Sequence, residues 1–162
     1  MVLEQRQKGI AAVEFAIVLI PLLVILTGIT EFGRAMYYYN TIAKSTRDAT
    51  RLMTIQTPTD PDYPILINRA RCTAVYGNQA CSGAPLVPGL TTAMVNICDA
   101  ASCPGTHSNV QTGTGIVNLV SLTIGGPNNP YMFQSLAPFA PALFGIASFD
   151  FGPIEVTMRQ ML

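Results

Sequence analysis

The feature that most constrains this chain is an apolar segment near its N terminus, which runs from Ile10 to Thr30. At a helical rise of about 1.5 Å per residue, about twenty apolar residues span the roughly 30 Å hydrocarbon core of a bilayer. The segment contains a single charged residue, Glu14. A carboxylate inside a bilayer costs about 3 kcal/mol unless it reaches water or finds a partner. The sequence therefore predicts a transmembrane helix over residues 10–30 that carries one costly charge.

A short basic leader, residues 1–9, precedes this segment and ends at Gly9. Arg6 and Lys8 favour a cytoplasmic N terminus, because positive residues tend to stay on that side of a membrane. Basic residues also follow the segment, so the orientation rests equally on the four cysteines, all of which lie beyond it. Disulfides form in oxidising compartments. We therefore expect a single-pass membrane protein whose C-terminal part is outside the cytoplasm.

An ordinary secretory signal peptide is a poor match to this N terminus. Its apolar region is normally about 7–15 residues long and ends at a small-x-small cleavage site. Here the apolar run is longer, and Thr-Gly-Ile-Thr-Glu at residues 27–31 is a poor site of that kind. An uncleaved anchor is the remaining alternative, and its function would be that of a permanently anchored single-pass periplasmic scaffold or binding protein.

Gly9 and Glu14 together suggest a processing and assembly site. Cleavage after Gly9 would make Ile10 the first residue and Glu14 the fifth, one helical turn from a new positive amine. In a bundle of parallel helices, Glu14 can pair with the amine of a neighbouring subunit, which offsets desolvation and sets the register. The alternative is a carboxylate that reaches water at the nearby helix end.

Pro21 falls in the middle of the apolar segment, where we expect a bend in the helix. Proline cannot donate a backbone hydrogen bond, and its ring crowds the carbonyl of Ile17. Beyond the membrane, apolar residues recur at intervals of three and four, so the helix should continue to about Ile55. The expected buried face consists of Phe32, Ala35, Met36, Tyr39, Ile42, Ala43, Thr46, Ala49 and Met53.

The membrane boundary after Thr30 carries charged and aromatic residues. Glu31 and Arg34 are spaced to form an i,i+3 ion pair. Tyr37 to Tyr39 are suited to the interface between lipid and water. Both features predict anchoring at that boundary.

The rest of the chain predicts a small α+β head with antiparallel strands, packed on the long helix. The expected domains are a leader (1–9), a transmembrane helix (10–30), its extramembrane continuation (31–56) and an extracytoplasmic head (57–162). A second helix is expected over 64–76, with Ile65, Ala70 and Cys72 buried. Strands are expected over 92–98, 115–124 and about 154–159, with a surface loop over 99–115 and an edge strand with irregular cover over 131–144.

Cys72, Cys81, Cys98 and Cys103 are expected to form disulfides, because an even number of cysteines in a small exported domain favours them. Short loops cost little to close, so Cys72–Cys81 and Cys98–Cys103 are the preferred pairs among three possible connectivities. Zinc is the alternative, but four-cysteine zinc sites usually have about two to four residues within each pair. Eight residues separate Cys72 from Cys81.

Composition argues against two classes of function. The net charge is zero, and the chain has no basic stripe of the kind that neutralises phosphates, so nucleic acid is not expected as a partner. No cofactor or metal site is expected, and catalysis is not expected either. His107 could be combined with Ser108 and Asp99 only on paper, and we expect it to be an exposed loop residue.

The N-terminal third of the chain resembles the TadE-like family, minor pilin-like proteins of the tight-adherence (Tad/Flp, type IVc) pilus. The resemblance rests on Gly9–Phe15, the long apolar run, Glu31–Arg34 and Ala49–Arg51. The segment around residues 131–144 and the closing strand are similar more loosely. Phe15 stands where Tad prepilins usually have tyrosine, so the ring is kept and the hydroxyl is lost.

The resemblance implies cleavage by an aspartic prepilin peptidase, for which this protein would be the substrate. It also implies residence in the bacterial inner membrane with a periplasmic head, and a role in pilus initiation or assembly and surface adhesion. The expected partners are the peptidase, other pilins and pseudopilins, the Tad inner-membrane assembly platform and the lipid bilayer.

Overall fold

The computed structural model describes residues 3–113, 115–136 and 147–160, and for residues 3–8 it describes the backbone only. The chain divides into two compact units. The first comprises residues 1–36 and 135–147, and the second comprises residues 37–134 and 148–162. Helix α1, Leu3–Met53, contributes residues to both units.

In the first unit, α1 is apolar and its side chains are exposed. The hydroxyl of Thr27 donates to the carbonyl of Leu23 at 2.7 Å, and that of Thr30 donates to the carbonyl of Thr27 at 2.8 Å. These bonds satisfy polar side chains within the helix itself, as a helix in hydrocarbon requires. Outside the helix, Ser135 donates its N–H to the carbonyl of Ala147.

In the second unit, the end of α1 buries one face that combines apolar and hydroxyl side chains. Ile42, Ala49 and Met53 are fully buried. Thr46 and Thr50, also fully buried, each donate to the carbonyl four residues earlier at 2.7 Å. The helix thereby accepts polar residues on its packed face without unsatisfied hydroxyls. It ends at Met53, two residues before the expected end, where Thr54 N–H turns back to the carbonyl of Arg51.

Helix α2, Tyr63–Tyr76, packs against that face. Gly77 ends it with a φ of 71°, and its N–H donates to the carbonyl of Thr73. A left-handed residue at this position favours glycine, which explains the sharp stop. The hydrophobic cluster between the helices and the sheet consists of Met53, Tyr63, Leu66, Ala70 and Val120.

The prediction that Ile65 is buried is wrong, since its side chain is 51% exposed. The buried face of α2 is set by Tyr63 at its first position, followed by Leu66 and Ala70 at intervals of three and four. Ile65 lies off this stripe. Ala70 and Cys72 are buried as expected.

The main sheet is antiparallel and is built around one long strand, β3. Its strands are β1 (Val95–Cys98), β2 (Val110–Thr112), β3 (Gly115–Ile124) and β6 (Ile154–Gln160). β3 pairs with β6 along one edge, and with β1 and β2 along the other. Ile124 lies opposite both Val95 and Ile154, which fixes the register. A separate two-stranded ribbon joins β4 (Met132–Gln134) to β5 (Ser148–Asp150).

The predicted fold class is confirmed: a long apolar N-terminal helix precedes a small antiparallel-sheet domain. The strand over 115–124 has the predicted bounds. The predicted loop over 99–115 instead contains the short helix α3, Pro104–His107, and β2. The strand expected from Thr92 starts at Val95, after a 3₁₀ turn. In the apolar segment 131–144, β4 supplies the edge strand, and residues 137–144 lie outside the described residues.

Candidate functional site

The N-terminal part of α1 is the largest exposed apolar surface in the described chain. Ile10, Phe15 and Ile20 are 61%, 66% and 66% exposed. α1 is long and apolar enough to cross a membrane, and none of its most apolar stretch is buried. The core helix of a soluble protein would be mostly covered. This helix therefore fits a single-pass membrane segment, and it requires lipid or other helices around it.

The proposed processing residues are consecutive parts of this helix. Gly9, Ile10, Glu14 and Phe15 all lie in α1, and the last three side chains are exposed. A Cβ added at Gly9 would meet no atom within 4 Å. Ile10 and Glu14 are four residues apart, so they lie on the same helix face one turn from each other. Pro21 also lies inside α1, with helix on both sides of it.

Glu31 and Arg34 form the predicted i,i+3 ion pair, with 2.6 Å between Oε2 and Nη2. Their side chains are 21% and 22% exposed, so the pair is partly shielded from water. Two charges just beyond the apolar segment are thereby matched to each other. This arrangement lowers the cost of placing them near a membrane boundary.

The four cysteines form two disulfides, Cys72–Cys81 and Cys98–Cys103. These are the two pairs that short loop closure favours. The first joins the C-terminal half of α2 to the loop that follows it, and the second joins the end of β1 to the residue before α3.

His107 is not the exposed loop residue that the sequence suggested. It ends α3, is half-buried, and contacts Ser121 Oγ through Nε2 at 2.9 Å and Thr106 Oγ1 through Nδ1 at 2.7 Å. Its ring nitrogens and the sulfurs of Cys98 and Cys103 lie close enough to suggest a metal site. Both sulfurs are used in a disulfide, however, and a zinc site of this type requires thiolates.

A buried polar network, absent from the sequence-based candidates, joins distant parts of the second unit. Tyr63 donates from its hydroxyl to Asp99 Oδ2 at 2.8 Å, and Asp99 is only 3% exposed. The amide of Gln160 donates to the carbonyl of Gln56 at 2.7 Å and lies 3.4 Å from the Tyr63 hydroxyl. The network thus ties the C-terminal strand to both ends of the turn between the two long helices.

Asp99 is held as a carboxylate by its hydrogen bonds. Burial alone would raise its pKa, but donors from Ser102, Tyr63 and Ala101 outweigh burial and hold the pKa below its usual value. For Tyr63, burial and then the bond to Asp99 raise the pKa of the phenol. Asp99 is therefore engaged with Tyr63 and the 101–102 turn, while His107 is engaged with Ser121. The hypothetical Ser108–His107–Asp99 arrangement does not describe these contacts.

Comparison with known proteins places the exposed helix in a family. Residues 9–51 match the family model described as TadE-like protein. No curated protein and no solved structure matches the chain. The matched residues cover the apolar segment, the Glu31–Arg34 pair and nearly all of the rest of α1. This chain therefore carries a TadE-like domain at residues 9–51, from a structural rather than an enzymatic family, which supports a pilin-like role associated with a Tad pilus.

Proposed function

We propose that this protein is a minor pilin or pseudopilin of a Tad-type pilus. Residues 1–9 are a leader that a prepilin peptidase removes after Gly9. Residues 10–30 then hold the mature protein in the inner membrane, residues 31–56 continue the helix, and residues 57–162 form a periplasmic head. In this role the protein is a substrate of the peptidase and a structural component.

The observation that carries this proposal is an apolar helix, exposed on all sides, with one carboxylate near its start. Lipid can cover the apolar side chains while the subunit waits in the membrane. Lipid cannot match the charge of Glu14, so a positive partner from another chain stabilises it best. Parallel helices of other pilin subunits supply both the apolar cover and that partner.

Cleavage after Gly9 creates the complementary charge. The new amine on residue 10 lies one helical turn from Glu14 on the same face. In a neighbouring subunit shifted along the bundle axis, that amine can reach Glu14 of the first. Since the pair forms at only one axial offset, it sets the register at which this subunit joins its neighbours.

Pro21 assists the transfer from bilayer to fibre. Its missing N–H leaves the carbonyl of Ile17 without its helical donor, which weakens α1 at that turn. A helix that can bend there adapts more easily to the two environments. The other pilins and the Tad assembly platform are the partners in this step, and the head is available for adhesion.

Crosslinking between subunits tests the assembly role. A photoreactive residue at Val18, which is 65% exposed, would capture neighbouring helices. We expect Glu14→Gln to remain inserted in the membrane but to lose crosslinks to other pilins more than about tenfold, because breaking a buried ion pair costs about 3–5 kcal/mol. Glu31→Gln, the same change farther along α1, is the matched control and should keep its crosslinks. Equal yields from the two variants would rule out the assembly role of Glu14.

A further inference from the structure

Seven aromatic side chains of the second unit form a connected group, here called the aromatic cluster. It links the first residues of α1 in this unit to the β4–β5 ribbon. Tyr38 and Phe133 have ring centroids 5.8 Å apart, and Tyr39 and Phe151 are also 5.8 Å apart. The members are Tyr37, Tyr38, Tyr39, Tyr131, Phe133, Phe149 and Phe151.

The α1 members of the aromatic cluster follow the apolar segment closely along the chain. Tyr37 is the seventh residue after Thr30, which corresponds to about 10 Å of helix. The headgroup region on each side of the hydrocarbon core is about 5–8 Å deep, and tyrosine is enriched there because it has an apolar body and a polar tip. If Thr30 marks the hydrocarbon boundary, the tyrosines lie at the membrane surface.

The aromatic cluster has a covered interior and an exposed apolar rim. Phe133 and Tyr131 are buried, whereas Tyr37 and Phe149 keep 66% and 41% of their surface exposed. Met132, next to Phe133 in β4, is 42% exposed. A contiguous apolar rim of this kind is unfavourable in water and marks an interaction surface.

The charge distribution identifies the kind of partner. From Gly125 to Phe149 the sequence contains no Asp, Glu, Lys or Arg. Asp150 comes next, and its Oδ1 accepts the N–H of Gly152 at 2.9 Å. An uncharged stretch with aromatic and thioether side chains at the membrane boundary suits the zone between headgroups and acyl chains.

We infer that the β4–β5 ribbon is a second membrane contact, with Met132 and Phe149 inserted at the headgroup–acyl boundary of the leaflet that α1 leaves. This contact adds a lipid-binding surface to the head and restricts how the head can turn about α1. It goes beyond the pilin role and requires only that α1 spans the membrane.

Fluorescence can test this contact directly, because the chain has no tryptophan. Phe149→Trp introduces one reporter into the full-length protein, which is reconstituted in phosphatidylcholine vesicles with or without brominated acyl chains. Ile65→Trp is the matched control, since Ile65 is 51% exposed but lies on α2. We expect the Phe149→Trp emission to shift to shorter wavelength and to be quenched by brominated lipid severalfold more than that of the control.

Met132→Trp provides a second reporter on the neighbouring strand, in case the first variant does not fold. Quenching of both ribbon reporters no stronger than that of Ile65→Trp would overturn the inference. A blue-shifted emission that brominated lipid does not quench would also overturn it, since the rim would then contact protein. Because the vesicles contain no peptidase and no other pilin, either result leaves the proposed pilin role unaffected.

Discussion

Tyr63, the first residue of α2, donates a 2.8 Å hydrogen bond to Asp99, which directly follows β1. The two residues are 36 positions apart in sequence. Their bond connects the helical layer of the second unit to the loop that holds the Cys98–Cys103 disulfide. The pair is thus one of the contacts that fix the sheet against α2.

Replacing Tyr63 with phenylalanine should lower the stability of the head by about 1–2 kcal/mol. The ring still fills the core, but the Asp99 carboxylate loses one donor in a buried site. Thermal unfolding of the full-length protein in detergent, followed by near-UV circular dichroism, measures the change. Tyr76→Phe, at the other end of α2, is the matched control and should unfold close to the wild-type temperature. Equal effects of the two variants would contradict the role given to the Tyr63 hydroxyl.

The same bond predicts how stability depends on pH. The folded-state pKa of Asp99 lies below its usual value, so its contribution is present above the unfolded pKa of about 3.9 and is lost as pH falls through the folded pKa. Tyr63 has a raised pKa, so its contribution is present below about pH 10 and is lost as pH rises further.

We therefore expect a stability plateau between about pH 4 and pH 10, with losses on both sides. Unfolding midpoints measured across this range test the expectation. Asp99→Asn should reduce the loss on the acid side, because the substituted amide no longer titrates. An unchanged acid limb in this variant would show that other carboxylates control it.

Removing either disulfide should lower stability by about 2–3 kcal/mol, because each crosslink restricts a short loop of the unfolded chain. The paired changes are Cys72→Ser with Cys81→Ser, and Cys98→Ser with Cys103→Ser. The loop closed by the first pair spans nine residues and that of the second spans five, so the first loss should be slightly larger. Peptide mapping without reductant should recover the two pairs. Free thiols, or a crosslink between residues 72 and 98, would contradict this arrangement.

Local chemistry in the sequence is sufficient for several of these features. Gly77 follows an amphipathic run and requires a left-handed conformation, so the end of α2 can be predicted from neighbouring residues alone. The Val, Ile and Leu residues of β3 likewise give its bounds, and short spacing suggests the disulfide pairs. Each depends on contacts within a few residues.

The features that the sequence does not reveal depend on long-range contacts. Asp99 looks like an ordinary loop residue until Tyr63, 36 positions earlier, is placed beside it. His107 becomes half-buried because Ser121 lies on the strand next to it in space. β5 has only three residues, too few to show an alternating pattern, and it forms by pairing with β4.

The identity of the mature N terminus tests the pilin role most directly. Wild-type protein should be isolated from membranes of cells that contain the matching prepilin peptidase, and its first residue should be determined by mass spectrometry. Gly9→Val is expected to block processing, and Gly28→Val is the matched control, since a Cβ meets no atom within 4 Å at either glycine. We predict a chain that begins at Ile10 in the wild type and in Gly28→Val, and the full leader in Gly9→Val. A wild-type chain that still begins at Met1 or Val2 would contradict the proposed function and favour a permanently anchored periplasmic protein.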